Sequence, residues 1–310
     1  MLADVVGQPE AARYLRLTLE GKFASPLLFL GDEGIGKRFS VLQTVKELFC
    51  QGTRTNDCPC GPCFRLSKGV HPDFHLLEVK GDKDIGVEEI RGVIEATSTY
   101  PSSAPNKVFL LDGADRLTPV AANALLKTLE EPPARVLFFL LAQQQRNILP
   151  TILSRCGQVQ YKLLPESYIL ERLQQFESDP NKALVYSRLG RGSLGRALAL
   201  WGSGRLRFRD DVLSLLETRD IVRVFTTVNS LEKELPLVFQ ILETLVHDVY
   251  MLGVDPARLV NLDIAPKLGN LRNLNLPALL QGIRELRSTK IKVNAVFHLK
   301  TLLAQMHLGS

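Results

Sequence analysis

Aromatic residues are scarce in this chain, 7% of 310 residues with a single Trp, and neither sign of charge dominates. Against 33 Asp and Glu there are 38 Lys and Arg, a formal net charge of +5. With a hydrophobic content of 45%, the first scarcity does not prevent the chain from burying substantial cores, and its length fits two or three domains better than one. The second removes any argument from charge alone: an excess of this size tolerates a polyanion nearby and identifies none. An obvious basic patch with exposed aromatics, which a stand-alone nucleic-acid-binding module would show, is missing too. Arg205, Arg207 and Arg209 come nearest, and their alternate spacing reads as a solvated face. Long hydrophobic runs are also missing: the apolar strings at 26–30, 108–111 and 136–142 are too short to cross a bilayer. The opening MLADVVGQPEAARYL has no basic leader followed by an apolar core, so a cytoplasmic location is expected. Internal repeats and low-complexity tracts are lacking. Cysteine is rare outside one place. Of five, Cys50, Cys58, Cys60 and Cys63 fall between 50 and 63, which in an intracellular chain favours a metal site over a disulfide framework.

The segments that are present alternate strand and helix at first and then turn wholly helical. PLLFLGDEGIGKRFSVLQTVKELF reads as strand, glycine turn and helix, because a short apolar run ends at Gly31 and helical spacing resumes after Gly36. Further strands are predicted at Phe74 to Val79, in NKVFLLDGADRL, in RVLFFLLAQQ and in QVQYKL. The two uninterrupted apolar runs among them are of the kind a parallel sheet covered on both faces requires. TPVAANALLKTLEEPP is predicted as a helix stopped by Pro132 and Pro133. This α/β domain is expected to occupy residues 1–160, with a cysteine insert at 50–63. Short amphipathic pieces, ESYILERLQQF, NKALVYSRL and GSLGRALAL, then predict a small helical domain at 161–204. WGSGRLRFR, with the only Trp, reads as a hinge, and a helical bundle at 205–310 is predicted beyond it, with AQMHLGS fraying at its end.

Gly31-Asp32-Glu33-Gly34-Ile35-Gly36-Lys37 matches a phosphate-binding loop up to its lysine. Backbone N–H groups of such a loop surround phosphates, and Lys37 is placed to reach the outer ones. The next residue in a hydrolysing site is Ser or Thr, whose hydroxyl holds magnesium; here it is Arg38, which has donors only. The strand VFLLD ends in Asp112, the carboxylate that organises magnesium beside such a loop. The following position, a water-polarising glutamate in hydrolysing relatives of this architecture, is Gly113. Asp115 lies on the ensuing turn and replaces that base only if the turn is unusually placed. With hydroxyl and carboxylate both missing, in-line attack lacks two of its positioning and electrostatic parts. Retention of ATP or ADP stays open.

Ser154-Arg155-Cys156 follows a short helical segment, ILPTIL. Arg155 reads either as a surface arginine packing its stem on a neighbouring helix or as a finger that neutralises phosphoryl charge across an interface. Cys50, Cys58, Cys60 and Cys63 make a complete tetrahedral thiolate shell for a structural zinc ion. The single residue between Cys58 and Cys60 restricts how both point at one ion, and the alternative is a cluster of free thiols.

On Val6-Gly7-Gln8, GDEGIGK, HPDF at 71–74, LLDGADRLT, AANALLKTLEEPP, LPTILSRC and GSLGRALAL, the chain resembles the bacterial clamp-loader subunits of the AAA+ family, most closely the delta-prime branch of DNA polymerase III. The resemblance implies a RecA-like α/β domain, a small helical lid and an all-α C-terminal collar. It implies a place in a pentameric ring with motor subunits and a delta subunit, which sets a sliding clamp on primed DNA. It also implies a non-hydrolysing stator role with Arg155 as the finger for a neighbour, and Arg196 as the lid arginine toward the subunit's own nucleotide, joined there by Gly34, Gly36, Lys37 and Asp112. In the family's insert two residues usually separate each of the last three cysteines, so Cys58-Pro59-Cys60 is shortened. A working ATPase motor of the same ring is the other reading, and Arg38 and Gly113 speak against it.

Overall fold

A computed structural model describes residues 7–23, 26–79, 81, 83–204, 206–218, 220–230, 235–273, 275–288 and 299–303. Val6 and Arg205, the side chain of Arg207 and the terminal 304–310 lie outside the described residues. The chain forms two compact units, one of residues 1–165 with 192–195, the other of 166–191 with 196–310.

In the first unit the elements run α1 (Pro9–Leu19), β1 (Leu27–Leu30), α2 (Lys37–Phe49), α3 (Gly61–Ser67), β2 (Phe74–Glu78), α4 (Val87–Thr97), β3 (Lys107–Asp112), α5 (Pro119–Glu130), β4 (Val136–Ala142), α6 (Pro150–Leu153) and β5 (Gly157–Gln160). The strands pair in the order β2-β3-β4-β1-β5, and every pair is parallel. Because side chains alternate across a strand, each apolar run serves two cores. Leu28, Leu30, Phe109, Leu111, Phe138 and Leu140 pack on one face with Ile90 of α4 and Leu125 and Leu129 of α5. Leu27, Phe29, Val108, Leu110, Phe139 and Leu141 pack on the other with Leu15 of α1 and Val41 and Val45 of α2. The predicted strands and the helix α5 are all present, and Thr118 caps α5 by accepting from the Ala121 amide. Helix α4 was not among the predicted elements; its signal is the spacing of Ile90, Val93, Ile94 and Thr97, of which Ile90 and Thr97 are buried.

HPDF forms a turn that leads into β2. His71 stacks on Phe49 at 4.4 Å between ring centroids, and Asp73, 1% exposed, accepts from the amides of Ser102, Ser103 and Ala104 at 2.7–2.9 Å and from both serine hydroxyls. These bonds fasten the entrance of β2 to the loop before β3.

The second unit contains α7 (Glu166–Leu173), α8 (Pro180–Leu189), α9 (Leu194–Gly202, whose first two residues count with the first unit), α10 (Leu206–Glu217), α11 (Ile221–Ser230), α12 (Leu235–Val254), α13 (Ala265–Leu268) and α14 (Leu276–Ser288). It takes together segments on both sides of residue 204. Trp201 sits in α9 against Phe176, ring centroids 5.6 Å apart. The solvated face expected for the alternate arginines fails at Arg209. That residue is 4% exposed, and its Nη1 and Nη2 donate to the two carboxylate oxygens of Asp263 at 2.8 and 2.6 Å. Helical geometry replaces the alternate pattern with a 3.6-residue period, which turns Arg209 inward, and a bidentate partner satisfies the buried charge.

The residues 237–254 of α12 are long and apolar enough to cross a membrane, a length missed by the strings considered in the sequence, and the only such window among the described residues. Half of the window is buried inside the unit, with Val238, Phe239, Leu242, Leu245, Val246 and Val249 in its core. Asp248 interrupts it, fully buried, accepting from the amides of Val260 and Asn261 and from Asn261 Nδ2 at 2.7–2.8 Å.

Candidate functional site

The phosphate loop joins β1 to α2 at the carboxyl edge of the sheet, the place where open α/β sheets bind ligands. Gly34 and Gly36 have positive φ, 74° and 102°, and Gly36 precedes the first turn of α2, so the loop has the backbone form its glycines predict. Lys37 is 7% exposed and turned back on the loop: its Nζ donates to the carbonyl oxygens of Gly31 and, at 2.7 Å, of Asp32. Burial pushes its pKa below the usual lysine value, against the opposing pull of Asp112, Asp115, Asp32 and Glu33. The segment 192–195 also meets this loop, with the Gly195 amide 2.8 Å from the Gly34 carbonyl and the Ser193 hydroxyl 3.0 Å from that of Glu33. Arg196, the next residue along α9, belongs to the second unit.

Beside the loop, Glu78 and Asp112 end β2 and β3 as registered partners. Arg38, first-turn neighbour of Lys37, places Nη1 2.5 Å from Glu78 Oε2 and 3.5 Å from Asp112 Oδ2. Burial raises the pKa of Asp112, with Arg38 and Lys37 pulling it down and Glu78 and Asp115 pushing it up. Glu78 was missed as a site residue in the sequence, because nothing in FHLLE reveals which strand lies beside β3.

Gly113 has φ +100°, and a Cβ there would lie 2.5 Å from Val79 Cγ2. The backbone after Asp112 is therefore of the left-handed kind that favours glycine, and a Cβ there would require Val79 to shift. Asp115 is engaged elsewhere: its Oδ2 accepts from the amides of Gln143 and Gln144, both at 3.1 Å, tying the turn to the end of β4.

Arg155 follows α6 at the edge of the first unit, with its side chain 30% exposed. Its Nε and Nη2 donate to Glu130 Oε2 at 3.2 and 3.1 Å, and its Nη1 donates to the Thr151 carbonyl at 3.0 Å.

The four cysteines come from the end of α2 (Cys50), a loop (Cys58, Cys60) and the first turn of α3 (Cys63), and their sulfur atoms all lie within 4.8 Å of one another. Cys50 Sγ and Cys58 Sγ are 3.6 Å apart, near the roughly 3.8 Å edge of a tetrahedron with Zn–S bonds of about 2.3 Å. The one-residue spacing of Cys58 and Cys60 does not prevent convergence. Backbone amides point at the sulfurs: that of Gly52 is 3.4 Å from Cys50 Sγ, and a Cβ on Gly52 would come within 2.7 Å of Cys58 Sγ. The Cys60 amide is the largest influence lowering the Cys58 thiol to about 6, and the Cys63 amide is the largest lowering Cys60, while burial raises Cys63. Amides that stabilise thiolate are the outer support a metal–thiolate site uses. The cluster is capable of coordinating a metal ion, and it is the only such group of sulfur, imidazole or carboxylate ligands among the described residues. His71 is not part of it.

The protein family described as DNA polymerase III, delta subunit, matches residues 7–165, just over half of the chain. The chain is 30% identical to the DNA polymerase III subunit delta' of Escherichia coli K12, over 89% of its own length and 84% of that protein. It is equally similar to subunit delta' of Pseudomonas aeruginosa, 30% over 98% of both chains. Subunit tau of Bacillus subtilis is 29% identical over 95% of this chain, which spans about half, 53%, of that longer protein. Among solved structures, a DNA polymerase III gamma subunit-related protein from Thermotoga maritima superposes with a TM-score of 0.52 at 16% identity, covering 96% of this chain and 99% of that one, a likeness of fold. With its five-stranded parallel sheet, its phosphate loop and its helical C-terminal region, the chain belongs to the bacterial DNA polymerase III delta-prime/tau family of AAA+ clamp-loader subunits.

Proposed function

We propose that this chain is a non-hydrolysing, delta-prime-like stator of a clamp loader that lends Arg155 to the ATP site of a neighbouring motor subunit. The observation that carries this reading is Gly113, which has no side chain to polarise water and whose left-handed backbone and closeness to Val79 disfavour any larger residue. The absence of a hydroxyl at Arg38 supports it from the sequence side. Arg155 adds the positive half: a guanidinium at the edge of the unit suits charge developing on a phosphoryl group in trans. Its partners on this reading are motor subunits and a delta subunit in a pentameric ring, with the sliding clamp and primed DNA engaged through the complex. The division into an α/β domain at 1–160, a lid at 161–204 and a collar at 205–310 belongs to the same proposal. So does a vestigial nucleotide site of Gly34, Gly36, Lys37, Asp112 and Arg196, and so does zinc as the ion of the cysteine cluster. The test is steady-state phosphate release by the pure chain, with and without primed DNA. No turnover is expected, and a rate on the order of 1 per second, common for enzymes, would replace this reading with that of a working motor.

A further inference from the structure

Two carboxylates that end adjacent parallel strands in register repel one another unless a cation stands between them. Glu78 and Asp112 are such a pair, and the cation beside them is a side chain of the protein itself: Arg38 Nη1 lies 2.5 Å from Glu78 Oε2 and 3.5 Å from Asp112 Oδ2. Lys37, the other cation at hand, is turned away to the carbonyl oxygens of Gly31 and Asp32. A divalent ion held by the phosphate loop needs oxygen ligands, among them a hydroxyl at the position Arg38 occupies. Arginine offers five donors and no acceptor. The residues present therefore do not fit magnesium.

We infer that Arg38 is the resident cation of this site, filling between Glu78 and Asp112 the place of a divalent ion and making the phosphate loop indifferent to magnesium. A guanidinium tethered to the chain cannot be lost to solvent or exchanged for a free ion, so the two carboxylates keep a cation beside them whatever the metal concentration. The inference does not depend on Arg155, nor on any activity of the complex. It implies that removing the guanidinium exposes a latent oxygen site for a hard cation.

The experiment uses the full chain and the metal alone. Manganese binding is followed by electron paramagnetic resonance, and thermal unfolding is measured in magnesium chloride against sodium chloride of equal ionic strength. The wild type is expected to bind no manganese at this site and to unfold at the same temperature in both salts. Arg38→Ala is expected to unfold at lower temperature, to bind one manganese ion, and to regain roughly 2–4 °C in magnesium at ten times the dissociation constant. Adding Asp112→Asn is expected to abolish that response, and Arg38→Lys, which restores a tethered cation, to show none. Manganese bound by the wild type in an Asp112-dependent manner would overturn the inference without recourse to any Arg38 variant. So would Arg38→Ala that folds and shows no metal response.

Discussion

Arg155 and Glu130 meet at the edge of the first unit through one carboxylate oxygen, Oε2, which accepts from both Nε and Nη2 of the arginine. With Nη1 on the Thr151 carbonyl, each of the three guanidinium nitrogens has a partner within the unit. An ion pair this exposed, 30% and 59%, contributes only about 0–1 kcal/mol to stability. Arg155→Ala is therefore expected to leave folding and assembly intact, as sizing of the reconstituted complex would show, while DNA-stimulated ATPase and clamp loading fall. Loss at a single finger-dependent site is on the order of a thousand-fold, so the whole-complex rate falls partly if sites fire independently and severely if they fire in sequence. Lys37→Ala, in the chain's own site, is expected to leave turnover nearly unchanged. Unchanged ATPase and loading with Arg155→Ala would remove the finger role.

Restoring the missing base is expected to fail. Gly113→Glu places a Cβ against Val79 at a residue with φ +100°, a strain of about 1–3 kcal/mol. A lower unfolding temperature and no phosphate release are the expected results. Hydrolysis by this variant would show that the turn adapts and that glycine alone silences the site.

Metal analysis of chain purified without chelator is expected to give one zinc per chain. Cys63→Ser is expected to lower both zinc content and unfolding temperature, because it removes one of four converging sulfurs from the start of α3. Chelation of the wild type is expected to have the same direction of effect. Zinc-free protein of unchanged stability would leave the cluster as thiols.

Asp73 provides a pH test. Burial by itself raises its pKa, but the bonds from Ser102, Ser103 and Ala104 outweigh burial and hold the carboxyl below its ordinary value. A depressed carboxylate contributes stability that is present above the unfolded pKa of about 3.9 and is lost as pH falls through the lower folded value. Asp73→Ala is expected to cost about 2–3 kcal/mol at neutral pH and to flatten the acid arm of the stability curve below pH ~4. An acid arm unchanged by the substitution would assign it to other carboxylates.

The uninterrupted apolar runs at β3 and β4 can be satisfied only inside a sheet covered on both faces, and GDEGIGK has few other uses between a strand and a helix. Fold class, phosphate loop and cysteine cluster were therefore legible in the residues themselves. The same holds for what is missing at 38 and 113, since no packing can supply an oxygen ligand from arginine or a base from glycine. The partners of those residues were not legible. Strand order decided that Glu78 lies beside Asp112, helix phase decided that Arg209 is buried on Asp263, and the approach of α5 to the end of α6 decided that Glu130 holds Arg155. These pairs are 34, 54 and 25 residues apart in the chain, and only the packing that brings such segments together fixes which charge meets which.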